Sequence, residues 1–198
     1  MIIQKKYIPT ILIFNKPYEV LCSFTDPEGR DTLKKYIPVE GVYPVGRLDF
    51  DSEGMLLLTN DGVLIHRLTS PAHQVAKTYL VQIEGLISSQ ALATLQRGVM
   101  VKGERTRRCQ AMIVPEVVVP ERSKPVTPHK PTQWLRLVLR EGRKRQIRHM
   151  TAAVGYPTLR LIRVAIGPLG MEGLQPGEWR ELTKDEESRL RRAVQYPV

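Results

Sequence analysis

Apolar residues along the chain fall into short blocks whose spacing switches between two periods. Ile11 to Phe14 is a compact apolar run ending in Asn15-Lys16-Pro17, which predicts a strand stopped by a proline that cannot donate to a ladder. Met55 to Leu58 is a second such run. Asn60-Asp61-Gly62 then turns the chain, and Leu64, Ile65 and Leu68 share one helical face before Pro71. Asp61 stands where its carboxylate would cap that helix by accepting free amide hydrogens. Tyr79, Val81 and Ile83 alternate with Leu80, Gln82 and Glu84 at the period of a strand, closed by Gly85. Ser88 reads as an N-cap, with Ile87 and Leu92 spaced as a hydrophobic staple, for a short helix running to Gly98.

Farther on, Trp134 to Leu139 returns to strand alternation, and Gln146 to Val154 carries Ile147, Met150 and Val154 at helical spacing before Gly155. Leu159 to Ile166 predicts another strand, its apolar face switching near Ile162 as a bulge or a bend would make it do. The tail from Thr183 is charged and helix-prone. Phe24 to Thr32 is a loop by composition, and Pro115 to Pro131, with five prolines, predicts an extended loop or lobe connection. Strands and helices mix without a regular βαβ rhythm, which argues for an α+β fold.

Composition turns the argument toward a partner. The 198 residues, 42% of them hydrophobic, suffice for a real core and are read as a single domain, 1–198, with the 115–131 loop inside it. Lys and Arg number 30 against 20 Asp and Glu, a net charge of +10 that favours nucleic acid or an anionic membrane surface, with nucleic acid leading. Between Leu139 and Arg163 stand seven basic residues, Arg140, Arg143, Lys144, Arg145, Arg148, Arg160 and Arg163, against one acid, Glu141. Lys102, Arg105, Arg107 and Arg108 form a second cluster, broken only by Glu104. Two such patches suit a folded nucleic acid held by salt-sensitive phosphate contacts; the bland alternative is a solvated turn and helix face. Aromatic residues, at 6%, show no run of the kind that stacks single-stranded bases.

No apolar run approaches the roughly 18 residues of a membrane span, and Met1 to Ile13 lacks the cleavage site of a secretory signal, so a cytoplasmic protein is expected. Cys22 and Cys109 lie far apart and outside any CxxC pair, so both read as buried small hydrophobes. His66, His73, His129 and His149 show no ligand spacing, and no metal is expected.

Against that basic background, GRLDFDSEG (Gly46 to Gly54) sets Asp49 two residues after Arg47, where a carboxylate would repel the phosphates being gripped. The segment lies on a loop leading into the second strand, and its bounding glycines permit a tight backbone path and close ligand approach. On these residues alone, Asp49 is a salt-bridge partner of Arg47 or Arg148, an N-cap, or a catalytic carboxylate.

Val45-Gly46-Arg47-Leu48-Asp49 with Asp51-Ser52-Glu53-Gly54 and the run Met55 to Gly62, then Lys77-Thr78-Tyr79, then Glu141-Gly142-Arg143-Lys144-Arg145-Gln146-Ile147-Arg148, then Leu159-Arg160-Leu161-Ile162-Arg163, resemble in order the motifs of pseudouridine synthases. The branch is that of single-site ribosomal RNA enzymes, and within it the large-subunit enzymes without an N-terminal RNA-binding module. The match runs from about Phe14 to about Leu182. Many relatives carry that module; here the first strand begins almost at the N-terminus, so the module is expected to be absent and the basic clusters to do more of the holding. Ser52 stands where the family usually has Thr, which keeps the hydroxyl.

The resemblance implies a largely antiparallel sheet, two lobes around a basic cleft, a monomer, no cofactor, and isomerisation of uridine to pseudouridine in ribosomal RNA. In that reaction the N-glycosidic bond breaks, uracil turns within the site, and C5 bonds to C1′ of the ribose. By resemblance Asp49 is the ionised carboxylate the chemistry needs, and Arg148 is the opposite charge that keeps it ionised. Tyr79 stacks on uracil, Leu161 packs on the other side of the base, and Arg47 enters the space left by the flipped nucleotide or binds its displaced backbone. Lys77, Arg143, Lys144, Arg145 and Arg163 would hold RNA. Read without the resemblance, Tyr79 and Leu161 are core residues and Arg148 a phosphate contact. Attack on the sugar, attack on the base and removal of a ribose proton all remain open for Asp49. Transfer RNA is an alternative substrate. The rival from another class is a non-catalytic RNA-binding assembly factor, against which the joint presence of Asp49, Tyr79 and Arg148 speaks; a nuclease lacks its carboxylate cluster for magnesium.

Overall fold

The computed structural model describes residues 9–196. The residues before them, part of the reading that no secretory signal is present, lie outside the described residues. The strands are β1 (Ile11–Lys16), β2 (Tyr43–Pro44), β3 (Glu53–Thr59), β4 (Lys77–Glu84), β5 (Met100–Val101), β6 (Glu104–Arg105), β7 (Gln110–Val114), β8 (Thr132–Leu139), β9 (Thr158–Ile166), β10 (Leu169–Gly170) and β11 (Trp179–Glu181). The helices are α1 (Gly62–Thr69), α2 (Ser89–Arg97), α3 (Gln146–Ala153) and α4 (Lys184–Ala193). One sheet runs β11-β1-β3-β9-β4-β8-β7, with β2 beside β3 and β10 beside β9. Its strand pairings are antiparallel except β3 with β9, which is parallel and two residue pairs long, Glu53 with Ile162 and Gly54 with Arg163.

That short parallel junction joins two lobes. In the first, every residue of β1 and β3 is buried, because the sheet is covered on both faces. Ile11, Ile13, Met55 and Leu57 pack with Leu64 and Leu68 of α1 and Leu190 of α4. Leu12, Phe14, Leu56 and Leu58 meet Leu33, Ile37 and Val42 on the opposite side. Two-sided burial is why these strands read as continuous apolar runs and not as alternation. Asp61 caps α1, accepting from the Leu64 amide at 2.9 Å, and also accepts from Arg191 and Tyr196, which ties the end of α4 to the same point.

In the second lobe, Val81 and Ile83 of β4 and Leu135, Leu137 and Leu139 of β8 pack under α2 and α3 through Leu95, Ile147 and Met150. Here one face is covered by helices, and β4 and β8 alternate accordingly. Ser88 caps α2 through the Ala91 amide. The face switch expected near Ile162 is instead two irregularities in the pairing with β4, with Leu159 and Val164 as the extra residues. Between these bulges, Arg160 to Arg163 are all buried, Leu161 and Arg163 to one side of the sheet and Arg160 and Ile162 to the other. Residues 115–131 contain no strand or helix before Pro131. They are nonetheless tied down: Pro120 O accepts from Arg160, Arg122 stacks 4.3 Å from the Tyr18 ring centroid, and the His129 amide donates to Glu84.

Candidate active site

Between the lobes lies a cleft of about 490 Å³. Its floor is Lys77 and Tyr79 of β4 with Leu161 and Arg163 of β9; one wall is the loop Val45 to Asp49 with Ser52, the other Leu139 with Glu141 to Ile147. The walls meet the floor because β3 and β9 are pressed together. Gly54 has φ +101°, and a Cβ there would sit 2.3 Å from the Arg163 carbonyl oxygen. Only glycine allows both that torsion and that approach. The bulge at Val164 sets Arg163 opposite Tyr79, so the two adjacent strands deliver a guanidinium and a phenol to one place.

The three carboxylates of the DFDSE segment have separate surroundings. Glu53 is buried and bidentate to Arg160, at 2.7 and 2.8 Å, on the far side of the sheet. Asp51 is bidentate to Arg145, at 2.8 and 2.9 Å, and lies 3.3 Å from Arg148. Burial pushes the Asp51 carboxyl up, but the Arg145 hydrogen bonds and the charges of Arg148 and Arg145 outweigh it and hold it below the usual range. Asp49 is half-buried and lines the cleft, and among the described residues its carboxylate has no ion pair and no side-chain hydrogen bond. Its loop is held by its own backbone, through the Ser52 amide donating to Asp49 O at 3.0 Å.

The ion pair expected between Arg148 and Asp49 is therefore not made. Arg148 stands behind the cleft wall, donating to Asp51 O at 2.7 Å and Thr158 O at 3.1 Å, and reaches Asp49 only through its field. Burial lowers its affinity for a proton, with Asp51 and Asp49 opposing that trend. The physical reason is geometric: Arg148 sits on the first turn of α3, where backbone carbonyls of the 49–52 turn and of β9 are closer than the Asp49 side chain. Arg145, just before α3, adopts a left-handed conformation with φ 55°. A non-glycine residue bears strain there, of order 1–3 kcal/mol, and the bidentate grip on Asp51 is what the conformation achieves.

Among the described residues, three buried side-chain polar atoms have no partner: Ser52 Oγ, Arg163 Nη2 and Arg148 Nε. Such atoms cost about 1–3 kcal/mol each. Ser52 and Arg163 line the cleft, and Arg163 is braced by its Nε on Met55 O at 2.7 Å. Lys77 lies on the floor with its pKa brought down to about 8 by burial and by Arg163. Lys16, wholly buried at the end of β1, donates to Pro17 O and Val20 O, both at 2.8 Å. Burial lowers its pKa to about 8 as well, against the opposing charges of Cys22, Glu53, Asp51 and Asp49.

Of the residues expected at a site, Asp49, Tyr79, Arg47, Lys77, Arg143, Lys144, Arg145, Leu161 and Arg163 all line this cleft, and Arg148 does not. Tyr79 and Leu161 also pack against the second lobe's core, so the core and cleft readings of both describe one position. Arg160, counted in the basic cluster, is buried on Glu53 and adds nothing to the basic surface. Sequence alone assigns no site role to Lys16 or to the pair Glu141 and Gln146, bonded at 2.5 Å in the cleft wall. The signal for Lys16 was its place directly after an apolar run and before Pro17. Both cysteines are partly exposed and not fully buried.

Comparison with known proteins matches residues 10–153 to the RNA pseudouridylate synthase family. A "Ribosomal large subunit pseudouridine synthase E" of Vibrio vulnificus is 49% identical over 175 residues, covering 87% of this chain and 75% of its own. The protein of that description in Xanthomonas campestris is 46% identical over 182 residues, covering 86% and 94%. A solved "pseudouridylate synthase" superposes with TM-score 0.79 at 30% identity, over 92% of this chain and 74% of its own. The sheet, the cleft at its parallel junction and the ordered motifs around that cleft thus have a single source: the chain belongs to the RNA pseudouridylate synthase family.

Proposed function

We propose that the protein isomerises a uridine to pseudouridine in large-subunit ribosomal RNA, with Asp49 as the reactive carboxylate. The observation that carries this reading is the state of the three carboxylates: Asp51 and Glu53 are committed to arginines, and Asp49 alone opens on the cleft. The reaction needs an ionised carboxylate beside the ribose, in a site dry enough to sharpen its field. Lys16, Arg145 and Arg148 surround Asp49 with positive charge at longer range and leave its oxygens unoccupied. Tyr79 and Leu161 line the cleft where a flipped base would lie, with the unpartnered Ser52 Oγ and Arg163 Nη2 buried in its lining. Arg47, exposed at the rim, suits the displaced strand or the space the base vacates. Bond making and breaking balance within the nucleotide: C1′ exchanges N1 for C5, C5 loses its hydrogen to solvent and N1 gains one.

The large subunit is chosen on the relatives of nearly half identity, whose names specify it. A "Ribosomal small subunit pseudouridine synthase A" of Salmonella typhimurium is 34% identical. Ribosomal RNA as substrate locates the enzyme in the cytoplasm. The test is release of tritium to water from RNA labelled at C5 of uridine, since the new C5 to C1′ bond expels that hydrogen. Release from large-subunit RNA, and none from small-subunit or transfer RNA, is expected. Release from transfer RNA alone would overturn the substrate, and no release from any of them would overturn the activity.

A further inference from the structure

Outside the cleft, the hairpin of β5 and β6 and the residues after it form an exposed basic arm. The hairpin's two-residue turn is Lys102-Gly103, with φ 51° and 82°, the left-handed pair that a tight hairpin requires. Asn or Asp would relieve the first of these positions; the chain sets an exposed lysine there instead. Arg105, Arg107 and Arg108 follow, all exposed, with Thr106 turned inward to accept the Val99 amide at 2.9 Å. Glu104, the one acid of the arm, is paired with Arg143 at 3.0 Å. The arm therefore presents four cations and no free carboxylate.

The arm is also fastened to the cleft. Arg143 Nη2 donates to Arg105 O at 3.2 Å, and the Arg107 amide donates to Glu141 Oε1 at 2.9 Å. Arg143 and Glu141 both line the cleft. Gly98 lets the arm fold back closely, for a Cβ there would lie 2.2 Å from Thr106 O. Side chains of Lys102, Arg105, Arg107 and Arg108 take no part in these bonds, which use backbone and the residues around them.

We infer that this hairpin is a second RNA-binding element, gripping the phosphates of a helical segment that flanks the target nucleotide while the cleft holds the nucleotide itself. This rests on the reading of the cleft as an RNA site, which the hairpin's cations continue. Point cations on a two-stranded arm, with no aromatic beside them, suit backbone neutralisation and not base reading.

The probe is a plain RNA duplex without a labelled uridine, titrated against wild type and a variant carrying Lys102→Gln, Arg105→Gln, Arg107→Gln and Arg108→Gln. The variant should bind more weakly, with a log–log salt slope shallower by about 3. The two proteins should converge by roughly sixtyfold as salt rises from about 50 to about 200 mM. A folding defect would not produce convergence, and the double variant Lys102→Gln, Arg107→Gln, read for half the slope change, covers failure of the fourfold one. Equal slopes for wild type and variant would overturn the inference, including the case in which the arm serves an acidic protein. Because this readout is binding, its failure is separate from failure of tritium release, which alone judges the isomerase reading.

Discussion

At the scale of single residues, the site depends on Gly54 as much as on any charged group. Gly54→Ala would place a methyl against the Arg163 carbonyl in a conformation alanine resists. A loss of about 2 kcal/mol or more is expected, read as a lower urea midpoint with unchanged slope. Sequence made the glycine visible and suggested close approach, but not to what: the partner strand lies more than a hundred residues away. Asp49 was legible in the same partial way. Its neighbours in sequence offered three roles, and only the pairing of Asp51 with Arg145 and of Glu53 with Arg160 separates it from the other two carboxylates. Arg148 shows the limit most plainly, since nothing in its spacing distinguishes a bond to Asp49 from a bond to Asp51.

At the scale of elements, the clamp of Asp51 on Arg145 and Arg148 fixes the 46–52 loop against the start of α3. Asp51→Asn removes the charge and keeps the shape, so the loop should loosen without unfolding. We expect kcat to fall about ten- to a hundredfold, as small misplacement of a reacting group does, with tritium release retained and RNA affinity little changed. Loss as complete as that of Asp49→Asn would contradict this division of labour. Buried Lys16 gives a second expectation. Its pKa is about 8 in the fold and near 10.5 unfolded, so the unfolded chain holds the proton more tightly between those values. Its cost to stability is therefore full below about 8 and relieved as pH rises from there toward 10.5. Lys16→Met should flatten that rise in chemical denaturation across this window. The strands and helices were mostly legible because local period and caps decide them. The bulges of β9 were misplaced because they belong to its pairing with β4, not to its own pattern.

At the scale of the whole molecule, charge and cleft work together. Lys77 titrates at about 8 on the cleft floor, so the cleft loses a positive charge as pH rises through that value. RNA affinity should weaken above about pH 8 in wild type, and the dependence should be reduced in Lys77→Gln. An identical profile in both would remove Lys77 from the binding surface. Net charge alone points to a polyanion, yet it counts Arg160 with the surface cations. Only the folded chain shows which arginines are spent on carboxylates within and which face outward.

In the proposed reaction one carboxylate of three does the chemistry, and one set of variants singles it out. Tritium release from C5-labelled large-subunit ribosomal RNA would be followed for wild type, Asp49→Asn and Asp51→Asn, with RNA binding measured alongside. Wild type should release tritium, Asp51→Asn should release it more slowly, and Asp49→Asn should fall by more than about a thousandfold while its RNA binding persists. Turnover by Asp49→Asn at the wild-type rate would contradict the role of Asp49 in the chemistry.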